Sequence, residues 1–220
     1  MRRDLVTSAI GIVVLTLLLG ILYPLLITGL GQGIFPGNAN GQRVYLNGHL
    51  VGSKIIGQNF GKPVLEKNGK AKEVKGAVVT EPDLAYFQSR PSATEGGANN
   101  AAASTFSNKG PNSVKTKEAD EENIKSYLEL NKPYDPSLTV ARIPVDAVNT
   151  SASGLDPEIS PANARIQAHR VAALRHLAMA AVEKMIVRYT HERGLGFSGE
   201  PGVNVLELNL ALDRLTGKPA

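Results

Sequence analysis

The sequence predicts an α+β external domain, of short strands plus several helices, carried on one N-terminal transmembrane α-helix. Three observations predict it. Residues 5–30, "LVTSAIGIVVLTLLLGILYPLLITGL", contain no charge. The rest of the chain alternates short strand-like runs with helix-like stripes of apolar residues. There is no cysteine, so a disulfide framework and a thiolate metal site are both excluded and burial must hold the domain.

As a helix, 26 residues span about 39 Å, against a hydrocarbon core of about 30 Å. A cleaved signal peptide has an apolar core of only about 7–15 residues, and no clear A-x-A site follows, so the segment reads as an uncleaved anchor. Pro24 removes one backbone hydrogen bond, which a membrane helix tolerates when neighbours re-satisfy the freed carbonyl. Arg2 and Arg3 precede the span, and the next cation is Arg43. The positive-inside rule then puts residues 1–4 in the cytoplasm and the C-terminal domain outside, single-pass in a plasma membrane. Ala9, Thr16, Gly20 and Gly31 lie within about 60° of one face at about 100° per residue. Small residues on one face allow close approach of a partner helix. Past the anchor the net charge is about +3 and spread out, which gives no footprint for nucleic acid.

Residues 31–42, rich in Gly and Asn, read as a flexible stalk, and residues 43–220 as the extracytoplasmic domain. Residues 43–58 read as short strands around an Asn47-Gly48 hairpin signal. Residues 61–76 are lysine-rich, a loop or exposed hairpin. Tyr86 and Phe87 form the main aromatic cluster, and 95–113 is a small-residue loop. Ile124, Tyr127 and Leu128 mark a helix over 117–131, and 140–149 is strand-like. Ser160-Pro161 is an N-cap followed by a first helical residue. Val171, Leu174, Ala178, Ala181 and Met185 then form a stripe, on one bent helix or two short ones, ended by Gly194, Gly196 and Gly199. Asn204 with Glu207 resembles a capping box. Strand alternation competes over 203–212, but the cap favours a helix.

Little catalytic chemistry is legible. "GLGFSG" (194–199) matches G-x-G-x-x-G, yet a helix precedes it and Glu200-Pro201 follows, so it reads as a helix terminator. Glu200 also stands where a phosphate loop needs lysine. His49, His169, His176 and His191 lack metal-ligand spacing, and no G-x-S-x-G elbow occurs. Asp156 and Glu158 read as turn and helix-dipole residues. Asn149-Thr150-Ser151 is a formal glycosylation sequon.

Several segments carry a family resemblance in order: "GIVVLTLLLGILYPLLITGLGQ" in the anchor, "LVGSKIIGQNF" (50–60), "SRPSAT" (89–94), "SNKGPNS" (107–113), "SASGLDPEISPANA" (151–164) and "GEPGVNVLELNLALD" (199–213). Together the chain resembles the C subunit of the Kdp-type potassium-transporting P-type ATPases of bacteria and archaea. Residues 61–83 include about twenty more than that family's usual spacing. The resemblance implies a non-catalytic accessory subunit, needed for assembly and regarded as a catalytic chaperone that raises the ATP affinity of the pump subunit. It implies two partners in one inner-membrane complex, a channel-like potassium-binding subunit and the P-type ATPase subunit. It implies no intrinsic cofactor, metal or catalytic residue, with ATP and K+ handled by the complex. Weak ATP association is implied only by the family. The motif positions nominate loop and interface residues: Arg90, Pro91, Ser92, Asn108, Gly110, Pro111, Gly154, Leu155, Asp156, Pro157, Ser160 and Asn204. On this reading residues 150–167 are a structural turn feeding a capped helix and hold a surface near the potassium entrance. The alternative is a membrane-tethered exported enzyme or ligand-binding protein acting alone.

Overall fold

The computed structural model describes residues 1–74, 77–94, 99–105, 108–110 and 112–217. It divides into two compact units, Met1–Ser53 and Lys54–Ala220.

In the first unit, one helical run extends over Arg2–Ile34, longer at both ends than the charge-free stretch. It begins as α1 (Arg2–Leu15), passes through a π-helical stretch (Thr16–Leu22) and continues as α2 (Tyr23–Ile34). Pro24 explains the widened turns. A proline ring clashes with the carbonyl four residues back and offers no N–H, and a π-bulge absorbs both defects without ending the helix. None of the most apolar window is buried within the protein, and its mean hydropathy is 2.7. In length and composition the run fits the one span of a single-pass membrane protein. The expected stalk is instead helical over Gly31–Ile34 and again in α3 (Pro36–Ala39). Asn40 donates to Gln32 Oε1 at 3.0 Å and to Pro36 O at 2.7 Å, which ties the two helices together. β1 (Arg43–Leu46) and β2 (His49–Ser53) pair antiparallel with a bulge at Val44/Tyr45. Their turn has φ of 51° at Asn47 and 82° at Gly48, the left-handed pair that suits strand twist.

The second unit starts with paired short strands. β3 (Gly61–Pro63) pairs with β6 (Thr80–Pro82), and β4 (Glu73–Val74) pairs with β5 (Ala77–Val78), all antiparallel. The lysine-rich segment is thus the hairpin alternative. A short 3-10 turn, Ala101–Ala103, is capped by Asn100, whose Oδ1 accepts from Ala102 N at 3.0 Å. α4 (Val114–Asn131) starts earlier than the sequence pattern indicates. The strand expected over 140–149 does not form. Two 3-10 turns, Val140–Arg142 and Val145–Ala147, take its place. Pro144 between them has no N–H for a ladder, and Asp146 turns back to accept from Ser160 N at 2.8 Å.

β7 (Glu158–Ile159) leads into α5 (Pro161–Arg175), then α6 (Met179–Arg188), β8 (Thr190–His191), β9 (Gly202–Asn204) and α7 (Val205–Thr216). The three strands form one antiparallel sheet in the order β7-β9-β8. Region 161–190 is therefore two helices. His176 adopts φ 54°, Leu177 N donates to Ala172 O at 2.9 Å and His176 N to Ala173 O at 3.4 Å. This is a Schellman stop built on histidine rather than glycine. It also alters the expected stripe. Val171 is buried, but the stripe's continuation in α6 is Val182 and Ile186, while Leu174 and Ala178 face outward. The main core packs these residues with Phe87, Ile159, Val203, Leu208 and Leu212. A second cluster joins Tyr127, Leu138, Ala147 and Ile166.

Both expected caps form. Ser160 accepts from Asn163 N at 3.1 Å ahead of Pro161, and Asn204 accepts from Glu207 N at 3.0 Å. Ser160→Ala removes that acceptor and lowers stability by about 1 kcal/mol. Urea titration of the full chain in detergent micelles reads the loss, and an unchanged midpoint would show that the cap contributes nothing.

Candidate functional site

The segment 84–90 carries the fully buried Phe87 of the main core, yet it belongs to no sheet. Its backbone groups still need partners, and side chains from two helices supply them. From α5, Arg170 donates to Leu84 O and, at 3.0 Å, to Tyr86 O. Gln167 accepts from Gln88 N at 2.7 Å and donates to Gln88 O at 3.0 Å. Arg175 Nε donates to Ala85 O at 2.6 Å. From α7, Asn209 accepts from Phe87 N and donates to Phe87 O, both at 2.9 Å. Carboxamide and guanidinium groups thus take the place of a neighbouring strand.

These polar side chains are themselves connected. Tyr127 OH donates to Asn163 Oδ1 at 2.9 Å, and Gln167 donates to the same oxygen. Arg170 also reaches Asn131 Oδ1 and Gln167 Oε1. Its side chain is almost wholly enclosed. Burial pulls the guanidinium down to about 10, still charged at neutral pH, and pushes the Tyr127 phenol up. Arg175 forms a buried ion pair with Asp213 at 2.7 Å. Its guanidinium lies 4.4 Å from the Tyr86 ring centroid, and Tyr86 OH donates to Asp213 Oδ2 at 3.2 Å. Burial first, and then the Asp213 carboxylate, raise the Tyr86 phenol.

The motif residues assemble along a seam beside this network. Arg90 Nη1 donates to Asp156 Oδ2 and Nη2 to Asn149 Oδ1, each at 2.8 Å. Ser92 Oγ donates to Gly154 O at 2.7 Å and accepts from the backbone N–H of Thr94 and Asn99. Ser151 N donates to Pro91 O. Leu155 O accepts from Gly57 N at 2.7 Å, and Pro157 O from Val205 N at 3.0 Å. Asp156 Oδ1 accepts from Glu158 N, the expected turn. Gly154 has φ 70°, and a Cβ there would fall 2.5 Å from Thr94 Cγ2. Asn204 donates to Lys54 O at 2.7 Å besides its capping bond. Two nominated residues lie apart: Asn108 and Gly110 are exposed, with Gly110 O accepting from Ser113 N before α4. Pro111 lies outside the described residues. In the membrane helix, a Cβ on Gly20 would lie 3.8 Å from Thr16 Cγ2, so those two stack. The constant step of about 100° used to align Ala9 and Gly31 with them does not run through the π-helical stretch.

Between the seam and α4 opens a cleft of about 590 Å³, lined among others by Asn59, Thr80, Arg90, Ser126, Tyr127 and Arg170. Among the described residues, no group of three or more His, Asp or Glu gathers to hold a metal. The chemistry of this site is hydrogen bonding: its arginines are committed to carbonyls and carboxylates, and they fasten loops. The sequence pattern did not single out Asn163, Gln167 and Arg170. A polar stripe at i, i+4, i+7 on one face of α5 was the signal that could have found them.

The family model described as "KdpC: K+-transporting ATPase, c chain" matches residues 5–214. Similar proteins named potassium-transporting ATPase KdpC subunit occur in Methylococcus capsulatus, 46% identical over 93% of this chain and 94% of that one. Others are in Koribacter versatilis, 42% identical over 97% and 95%, and Mycobacterium tuberculosis, 44% identical over 98% and 100%. A near-complete match of the family model, with relatives alike along their whole lengths, decides the affiliation that the ordered motifs imply: the chain belongs to the KdpC family, the c chain of K+-transporting ATPases.

Proposed function

We propose that this chain is the non-catalytic accessory subunit of a high-affinity, ATP-driven potassium uptake complex, and that it assembles and stabilises that complex. The observation that carries the reading is the 33-residue helical run with none of its most apolar window covered by the protein itself. Together with a domain whose buried arginines, Arg170 and Arg175, are spent on internal bonds, such a helix suits a packing role in the bilayer. Its partners are the channel-like potassium-binding subunit and the P-type ATPase subunit, which handle K+ and ATP. The chain sits in the bacterial inner membrane with Arg2 and Arg3 on the cytoplasmic side and the larger domain outside. Any effect on ATP affinity then passes through helix packing, with Thr16 and Gly20 as the contact face, because nucleotide is cytoplasmic. The cleft of about 590 Å³ supports a second reading, a tethered ligand-binding protein acting alone.

Co-expression with the channel-like and pump subunits, followed by mild detergent extraction, separates the two. The accessory reading requires that the three polypeptides elute together and that potassium-stimulated ATP hydrolysis collapses when this chain is omitted. Elution of this chain alone, with hydrolysis undiminished in its absence, would favour the second reading. Protease added to intact spheroplasts checks the orientation: the domain is digested if it lies outside.

A further inference from the structure

Helices α6 and α7 leave a groove of about 530 Å³ between them. Its apolar lining includes Met185, Tyr189 and Leu215, and its cations are Lys184, Arg188 and Arg214. All three cations are exposed. No carboxylate lines the groove. The two acidic neighbours in sequence are already committed, Glu183 to Arg165 at 3.6 Å and Asp213 to the buried Arg175 at 2.7 Å. Among the described residues none of the three cations has an ion-pair partner. The one recorded contact is the Arg188 guanidinium 6.0 Å from the Tyr189 ring. The bland alternative is three solvated surface cations. That alternative leaves like charges gathered over an apolar concavity, their repulsion screened by solvent and salt alone.

We propose that this groove seats an acidic, apolar segment of another subunit of the transport complex, a reading that rests on the accessory function above. Charge complementarity selects carboxylates for the rim, and the apolar floor selects aliphatic or aromatic side chains between them. The concave shape favours a protein segment over a bilayer. Membrane surfaces are met by projecting apolar side chains, whereas a cleft of this volume takes side chains that project into it. The groove is distinct from the cleft beside the seam, since the two share no lining residue. It is therefore a second surface, independent of the loops that the family motifs mark.

The native chain has no cysteine, so in this chain Leu215→Cys supplies one labelling position, at the groove, where Leu215 is 55% exposed, and the complex with unmodified Leu215 is the control for thiols elsewhere. The variant is labelled with benzophenone-maleimide in the assembled complex, in native membranes, and irradiated. The expected product is one crosslink to a segment of another subunit that carries Asp or Glu beside apolar residues. Lys184→Glu, Arg188→Glu and Arg214→Glu combined should lower its yield about tenfold, and Arg214→Lys should leave it unchanged. Crosslinks to lipid alone, no crosslink at all, or a yield insensitive to charge reversal would each overturn the proposal. If the complex is still recovered in those cases, the accessory function stands and only the groove assignment fails. If the unmodified subunits do not assemble, the fault lies with the accessory function itself.

Discussion

Arg175→Ala should lower the unfolding free energy by about 3–5 kcal/mol, because it leaves the Asp213 carboxylate charged, buried and without its cation. The two side chains are only 1% and 6% exposed. The substitution also removes the donor to Ala85 O and the cation over the Tyr86 ring, so several supports of the 84–90 segment go together. A domain whose whole stability is about 5–15 kcal/mol would lose a large share of it. Urea titration of the full chain in mild detergent, followed by circular dichroism, measures the change. Arg175→Met combined with Asp213→Leu separates lost pairing from lost packing: an apolar pair of similar volume should recover most of the deficit. A loss below about 1 kcal/mol for Arg175→Ala would mean that the pair behaves like a surface ion pair.

Gly154→Ala should be the second severe change. A non-glycine residue at φ 70° costs about 1–3 kcal/mol in backbone strain alone. The new Cβ would also lie 2.5 Å from Thr94 Cγ2 and 2.8 Å from Thr105 O, closer than atoms can approach. The 151–157 loop must then withdraw from Ser92, and the Arg90–Asp156 pair held by the same loop loosens with it. Two readings test this: the urea midpoint falls, and the Ser151 amide, which donates to Pro91 O, exchanges its hydrogen with deuterium faster than in the unmodified protein. Unchanged exchange at Ser151, with a normal midpoint, would show that the seam tolerates a side chain there and does not lock the loop.

What could be read from the sequence follows the range of each interaction. The Asn47-Gly48 turn, the Ser160-Pro161 cap and the Asn204 cap are settled within three or four residues, and each was legible. The Schellman stop at His176 is equally local, but only glycine or asparagine commonly signals a left-handed residue, so histidine concealed it. Residues 140–149 misled because Val140, Ile143 and Val145 look strand-like, while the decisive partner of Asp146 is the backbone at Ser160. Arg90 and Asp156 were nominated by family motifs, but nothing in the chain shows that they pair across 66 positions. Arg170 was missed because its meaning lies in carbonyls 84 and 86 residues away. Apolar periodicity reports which face is buried; it does not register a buried polar face that substitutes for a strand.

The paired strands over 61–82 supply part of the cleft wall through Val78, Val79, Thr80 and Pro82. Residues Thr80–Pro82 are exposed along their length, and their ladder partners Lys62 and Pro63 are exposed as well. Hydrogen bonds of this kind, open to water and without a core behind them, belong to the low-stability end of a protein's local opening spectrum. The opposite wall, built on α4 and α5, carries the buried Tyr127, Asn131, Asn163, Gln167 and Arg170, so its hydrogen bonds belong nearer the high-stability end of that spectrum. The cleft is thus asymmetric in its support: one bank rests on buried side chains and the other on hydrogen bonds open to water, so local opening alters the aperture from one bank only.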